Sequence, residues 1–184
     1  MMLGLKRGTV ALMPHDPAWE CEGERTVAEL ASIFGSVAVD IRHIGSTSIP
    51  TIPAKPIIDV ALDVRDFSDV SPLLDTLTAA GYYLRPSDNT PSQLLLAKGS
   101  FYDGTGDLQT HFIHVVLENS REWLNYLNFR RYLIEHPSVA DEYASLKLSL
   151  AASAPVDKGR AKYLAGKQDF IESVLARARA LYEN

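Results

Sequence analysis

Hydrophobic and polar positions change period along this chain, and the changes mark its parts. Asp16 followed by Pro17 supplies an N-cap and a first helical residue, and Gly35 can take the position past a C-cap. The stretch between them predicts a helix over 17–34. The segment 10–13 reads as a short strand or lead-in. The runs 37–44 and 57–64 read as strands, the second apolar enough to lie centrally in a sheet. Between them Pro50, Pro53 and Pro56 make 49–56 stiff, extended and helix-poor. Ser71-Pro72 opens a helix that should stop near Gly81. Segments 82–85, 94–98 and 108–117 read as strands, with Gly99, Gly104 and Gly106 making 99–107 a hairpin turn or mobile loop. From Ser120 the pattern is helical, with helices over 121–135, 138–152 and 158–182 broken by Pro137 and Pro155. The fold class is α+β. An α+β core over 1–118 carries a helical C-terminal region over 119–184, packed on it as one compact unit.

Composition narrows the function classes. A chain of 184 residues suits one domain, and 46% hydrophobic with 22% charged residues is ordinary for a globular protein. A net charge of −5 argues against broad binding to duplex nucleic acid but leaves room for a local basic pocket. The single Cys21 excludes an intrachain disulfide and a cysteine zinc cluster, which fits a reducing compartment. No apolar run approaches the 18 or so residues of a membrane span, and no signal-peptide pattern opens the chain. A cytoplasmic location is the expectation.

The chemistry concentrates in His43-Ile44-Gly45-Ser46-Thr47-Ser48-Ile49-Pro50 and the following Lys55-Pro56-Ile57-Ile58-Asp59-Val60. Gly45 allows positive φ and close backbone approach to a ligand. Ser46, Thr47 and Ser48 add hydroxyls beside backbone N–H groups, a combination suited to phosphate oxygens. Asp59 lies inside an apolar run, where a carboxylate costs several kcal/mol to desolvate unless it is paired, hydrogen-bonded or metal-bound. Turn and acid together point to a phosphate and metal site. The same turn could equally cap a neighbouring element, and Asp59 could be a structural acid held by backbone N–H groups.

These motifs resemble the GrpB family, which is placed in the nucleotidyltransferase superfamily. The likeness extends through Pro14-His15-Asp16-Pro17-Ala18-Trp19, Ala54-Lys55-Pro56-Ile57-Ile58-Asp59, Ile113-His114-Val115, Phe129-Arg130-Arg131-Tyr132-Leu133, His136-Pro137, Tyr163, Lys167 and Phe170, in order over nearly the whole chain. It implies a nucleotidyltransferase-like mixed β-sheet core flanked by helices. It also implies a pocket containing Asp59 and His114, with Tyr163 and Lys167 on family positions. Relatives occur fused to dephospho-coenzyme A kinase. The superfamily pattern of Gly-Ser followed by Asp-x-Asp/Glu is incomplete, because Ala61 stands where the second carboxylate would be. Asp63 shares the strand face but lies roughly 13 Å from Asp59, at about 3.3 Å per residue. Two-metal transfer needs ions about 3.5–4 Å apart with shared acids. Asp59 alone could hold one Mg²⁺, or transfer chemistry has been lost. A second acid would have to come from Glu118, Asp107 or Asp103.

Other residues carry two readings each. His43, at a strand end, either contacts phosphate or braces the turn. Lys55 is either solvated or faces phosphate. His111 and His114 lie three apart on one strand and point to opposite faces, so they are not a metal pair; His114 belongs in the pocket. His15 and His136 read as structural. Arg130 and Arg131 diverge on a helix, so only one faces the site. Arg160, Tyr163 and Lys167 form one helical stripe, able to line a phosphate pocket or to be a solvated basic face. Trp19, Trp123, Phe129 and Tyr132 read as core.

No P-loop, dinucleotide-binding glycine motif or serine-hydrolase elbow is present. The expectation is a nucleotidyltransferase-like protein binding a nucleotide or phosphorylated small molecule. Gly45, Ser46, Thr47 and Ser48 would face the ligand, with His43, Lys55, Arg130, Tyr163 and Lys167 around it. Asp59 would hold Mg²⁺, and Asp59 with His114 would be the catalytic pair in any metal-dependent nucleotidyl or phosphoryl transfer. The alternative is a catalytically degenerate ligand-binding or protein-interaction module. Exposure of Trp123 and Tyr126 would favour interaction through the C-terminal helices.

Overall fold

A computed structural model describes residues 2–154 and 159–183, apart from the side chains of Tyr102 and Asp103. Pro155 therefore lies outside the described residues, and so does the Asp103 carboxylate. The first helix, α1, runs Ala18–Phe34. The Ala18 N–H donates to Asp16 Oδ1 at 2.9 Å, and Gly35 ends the helix with φ +52°. Strand β1, Leu5–Lys6, was not expected; it pairs with the later β6, Leu108–Gln109, as a small separate sheet. The lead-in makes a single bridge, Met13 to Ala54.

The main sheet has five strands: β2 Ala38–Ile44, β3 Ile58–Val64, β4 Tyr82–Leu84, β5 Gln93–Lys98 and β7 His111–Leu117. Their order is β2-β3-β7-β5-β4, with β3 and β7 parallel and the other neighbours antiparallel, so the sheet is mixed. The expected strand over 108–117 is divided at Thr110. Its N–H and hydroxyl both donate to the Lys98 carbonyl, and its own carbonyl accepts from Ile58. The expected helix after Ser71 begins earlier, as a 3-10 turn over Phe67–Leu73 capped by Asp66, and continues as α2, Leu74–Ala79. The 99–107 segment is not a bare hairpin loop, because Ser100–Asp103 forms a helical turn, α3.

Four helices follow: α4 Arg121–Glu135, α5 Pro137–Ala152, α6 Arg160–Gly166 and α7 Gln168–Tyr182. The last two replace the single helix expected over 158–182. The break falls at Gly166, where a Cβ would come within 2.5 Å of Leu150 Cδ2, so α6 and α5 approach closely there.

Alternation along the strands divides the molecule into two packed layers. One sheet face carries Ile58, Val60, Leu62, Ile113 and Val115 and buries them against Trp19, Leu30 and Phe34 of α1. The other carries Ile44, Ala61 and Val116 and is covered by Trp123 of α4. Ile49 and Ile52, from the proline-rich connection, anchor the C-terminal helices through Tyr132, Leu133, Tyr143 and Val174. Trp19, Trp123 and Tyr132 are core residues, at 1%, 6% and 8% exposure. Among the described residues no helix is long and apolar enough to cross a membrane.

One contact on the α1 face ties the fold to the site. A Cβ on Gly23 would stand 2.2 Å from Nδ1 of His43. Gly23→Ala gains up to about 1 kcal/mol of helix propensity, but overpacking typically costs about 1–3 kcal/mol and here displaces a ring. A net loss in thermal midpoint is expected, restored in the Gly23→Ala/His43→Ala double variant. A midpoint unchanged by Gly23→Ala would show that α1 and β2 yield to the extra methyl.

Candidate functional site

Register decides which side chains meet. Asp59 pairs with Ile44 on β2 and with Phe112 on β7, and His114 pairs with Ala61 on β3. All of these face α4 and the helices after it. His43 pairs with Val60 and points the other way, towards α1. His111 also faces α1, where its Nε2 lies 3.2 Å from Glu22 Oε1. The two histidines of β7 therefore occupy opposite faces, as their spacing requires.

A cavity of about 510 Å³ opens between this sheet face and the C-terminal helices. Its floor is the Gly45–Thr47 turn and Asp59; its walls include Lys55, His114, Tyr163 and Lys167. Gly45 has φ +70°, and a Cβ there would come within 2.8 Å of Asp59 Oδ2. Only glycine lets the backbone lie this close to the carboxylate.

The three hydroxyls after Gly45 take different partners. Ser46 Oγ accepts from Lys147 Nζ at 3.1 Å. Thr47 Oγ1 donates to the Ile57 carbonyl and lies 3.0 Å from His43 Nε2. Ser48 Oγ donates to the Gly45 carbonyl at 2.7 Å and accepts from Arg130 Nε at 3.1 Å. Three expected site residues thus stand outside the cavity. His43, Ser48 and Arg130 brace the turn from behind, because strand alternation and the short 3-10 turn aim them away from Asp59. Arg130 lines a separate groove with Arg42, His43 and Arg131.

The charges at the floor are unbalanced. Burial raises the Asp59 carboxyl, but the His114 hydrogen bond and charge, with Lys55 and Lys167, outweigh it and hold it below the usual carboxylate range. About a third of the side chain still faces the cavity, so its burial is that of a pocket floor rather than of a sealed core. Burial pushes Lys55 down to about 8; Asp59 opposes this, while Arg160 and Lys167 add to it. Lys167 is lowered for the same reason, burial first. Lys147, 1% exposed, is pushed to about 7 by burial and by the charges of Lys167 and Lys55. Among the described residues no carboxylate forms an ion pair with it.

Arg160, Tyr163 and Lys167 all line the cavity although the helix breaks between the last two. Lys55 and Lys167 lie 5.9 and 5.0 Å from the Tyr163 ring centre. Of the acids considered for a second ligand, Glu118 pairs with Arg65 at 3.8 Å and Asp107 with Lys6 at 3.5 Å. The second carboxylate lining the cavity is instead Glu122 of α4. Asp63 is buried and accepts from the Asp40 N–H at 2.6 Å. His136 stacks on Tyr132 at 3.9 Å, a structural contact.

Sequence reading missed Lys147, Glu122, Gln93 and Tyr126. A stripe of Glu122, Asn125, Tyr126 and Phe129 at i, i+3, i+4, i+7 was the available signal for α4, and all four line the cavity. Trp123 is buried and the Tyr126 hydroxyl is hydrogen-bonded inward to Gln93, so neither supplies the exposed aromatic surface an interaction face needed.

Comparison with known proteins fits the span of these features. The family model described as "GrpB protein" matches residues 9–177. The chain belongs to the GrpB family. It is 35% identical to glutamate-rich protein GrpB of Alkalihalophilus pseudofirmus over 175 residues, covering 95% of this chain and 98% of that relative. The crystal structure of GrpB from Enterococcus faecalis matches with a TM-score of 0.82 at 30% identity, over 95% of this chain and 100% of that one. A dephospho-CoA kinase of Mycobacterium bovis is 25% identical over 194 residues, 95% of this chain but only 47% of that longer protein.

Proposed function

We propose that this GrpB chain binds a nucleotide or another phosphorylated small molecule in the Asp59 cavity, on a nucleotidyltransferase-like core. One observation carries the reading. Lys55, Lys167 and Arg160 line the cavity with only the two carboxylates Asp59 and Glu122, and buried Lys147, which feels the charges of Lys55 and Lys167, donates to Ser46 of the turn. Buried ammonium groups lower their own pKa when no anion offsets them, and a phosphate removes that cost. The backbone N–H groups of the turn and the Ser46 hydroxyl add donors for phosphate oxygens. Phe112, Tyr126, Phe129 and Tyr163 line the rest of the cavity and suit a flat apolar group such as a base.

Transfer chemistry is the second reading, favoured by the presence of Glu122. The residues fit one Mg²⁺ arriving with the ligand's phosphates, since Mg²⁺ commonly takes one or two carboxylates with phosphate oxygens and water. They do not fit a two-metal centre on β3, because Ala61 offers no ligand. When bound, the ion would polarise the transferred phosphoryl group. The chain's own part is positioning and charge: Lys55 and Lys167 neutralise phosphate oxygens, and the turn fixes their direction.

A thermal-shift series with ATP, GTP, CTP, UTP and coenzyme A, each with and without Mg²⁺, tests the binding. Coenzyme A is included because of the dephospho-CoA kinase relative. A ligand at a hundred times its Kd adds about 2.7 kcal/mol. A shift with at least one ligand is expected, reduced in Lys55→Ala and Lys167→Ala, with its Mg²⁺-dependent part lost in Asp59→Ala. No shift with any of the five at millimolar concentration would sink the nucleotide reading and leave the interaction-module alternative.

A further inference from the structure

We propose that Glu122 and Asn125 read the base of the bound nucleotide, and that the base they select is guanine. The assignment rests on the nucleotide reading of the Asp59 cavity and names its substrate class. Both residues line that cavity, and at i, i+3 on α4 their Cβ atoms stand about 5–6 Å apart on one helix face. The turn fixes the phosphate end. Phe129 of α4 packs edge-on against Tyr143 of α5 at 5.4 Å, and one helical turn further along α5 Lys147 reaches Ser46. Glu122 lies seven residues back along α4 from Phe129, roughly 10 Å at 1.5 Å per residue. A nucleotide with its outer phosphates on the turn spans that length through its sugar.

The polar groups at the far end are unmatched, and in opposite senses. Asn125 Oδ1 accepts from Arg179 Nη1 at 3.3 Å. A guanidinium only donates, so this contact orients the carboxamide and leaves both Nδ2 protons for another acceptor. Among the described residues none accepts from Asn125 Nδ2 and none donates to the Glu122 carboxylate. In a cavity that a ligand fills, that carboxylate must meet N–H donors or lose its hydration uncompensated. A carboxylate carries only acceptors, so it favours a base edge with adjacent donors. Guanine alone among the common bases presents two side by side, N1–H and the 2-amino group, with O6 next to them to accept from Asn125 Nδ2. Adenine and cytosine place a ring acceptor next to their amino group, and uracil offers one ring N–H between two carbonyls. Each leaves a carboxylate oxygen unmet or facing a lone pair, and sites built to hydrogen-bond a ligand reject analogues that leave them unpaired. With Glu122 on the base, Asp59 remains as the carboxylate for a Mg²⁺ arriving with the phosphates.

The test is isothermal titration of the full chain with GTP, ITP, ATP, CTP and UTP, with inorganic tripolyphosphate and guanosine probing the two ends separately. GTP should bind at least tenfold tighter than each of the others, including ITP, which lacks only the 2-amino group. Glu122→Gln should lower the ratio of GTP to tripolyphosphate affinity at least tenfold and keep the Mg²⁺-dependent part of GTP binding. Asn125→Asp, which exchanges the donor to O6 for an acceptor, should lower the same ratio. Any other triphosphate as tight as GTP in wild type overturns the guanine assignment whether or not either variant folds. Loss of the Mg²⁺-dependent part in Glu122→Gln also overturns it, by making Glu122 an ion ligand. Tripolyphosphate bound without preference among the nucleotides overturns this assignment alone. Guanosine bound with tripolyphosphate rejected overturns the phosphate reading alone, and rejection of every probe overturns both.

Discussion

Lys147→Met is expected to weaken phosphorylated-ligand binding about 10²-fold at pH 6.5, about 2.7 kcal/mol, and to remove part of its pH dependence. The ammonium donates to Ser46 Oγ and to the Pro53 carbonyl, so it ties both the phosphate turn and the proline connection to α5. Hydrogen bonds from charged groups are worth about 1.5–3 kcal/mol each, and methionine keeps the stem's volume without them. The pH effect follows from the pKa directions. Lys147 titrates at about 7 and Lys55 at about 8 in the free protein, depressed first by burial. A bound phosphate raises both, so binding takes up protons once pH exceeds 7. Affinity is greatest below 7 and falls as pH rises, by up to about tenfold per pH unit for each proton. Isothermal titrations at pH 8 in buffers of different ionisation heat count those protons, and Lys147→Met should count fewer. Stability of the free protein moves the opposite way. The unfolded chain binds more protons between about 7 and 10.5, so wild type gains stability across that window and the variant gains less. Unchanged ligand affinity in Lys147→Met would remove the residue from the site.

The parts of this fold that depend on local chemistry were legible in the sequence, and the parts that depend on register were not. Asp16, Pro17 and Gly35 bound α1 because caps are properties of single residues. Gly45 announced positive φ, and the apolar run around Asp59 announced a central strand. The direction of His43 required knowing that it pairs with Val60, and the meeting of His114 with Ala61 required the parallel pairing of β3 with β7. No window of sequence contains either fact. Lys147 sits between Leu146 and Leu148 and reads as a solvated helical position. Only the packing of α5 on the proline connection shows it buried. Gln93 opens β5 and looks like a strand-end residue until Tyr126 and His114 converge on it. The break before Lys167 had a signal in Gly166, but a glycine near a helix end marks a cap as readily as a crossing.

Stability is expected to collapse between pH 6.5 and 4, with His43 and His111 as the main cause. Burial holds each imidazole neutral, down to about 4, although Asp59 opposes the shift at His43 and Glu22 opposes it at His111. Unfolded histidines titrate near 6.5, so the unfolded chain takes up two protons before the native state does. Their contribution is therefore fully present above 6.5 and lost as pH falls towards 4. Each could contribute up to about 3 kcal/mol; the pair is then comparable with the whole stability of a small domain, about 5–15 kcal/mol. The Glu22 and Glu29 carboxyls, held low by Arg25 and by Tyr82 and Lys98 respectively, add loss of the same sign at the acid end. Asp63, raised by burial, opposes it. Both histidines lie on the α1 face, Glu22 meeting His111 and Gly23 meeting His43. The cost at His43 is that of charging a buried ring packed against Gly23 of α1 and hydrogen-bonded to Thr47 behind the phosphate turn, whereas a charged His111 is partly met by Glu22 of α1. Urea midpoints measured from pH 7 to 4.5 should fall steeply in wild type, and His43→Gln and His111→Gln should each remove about half of the slope. A midpoint flat across that range would mean that both rings protonate in place, and that α1 does not hold the turn through a neutral His43.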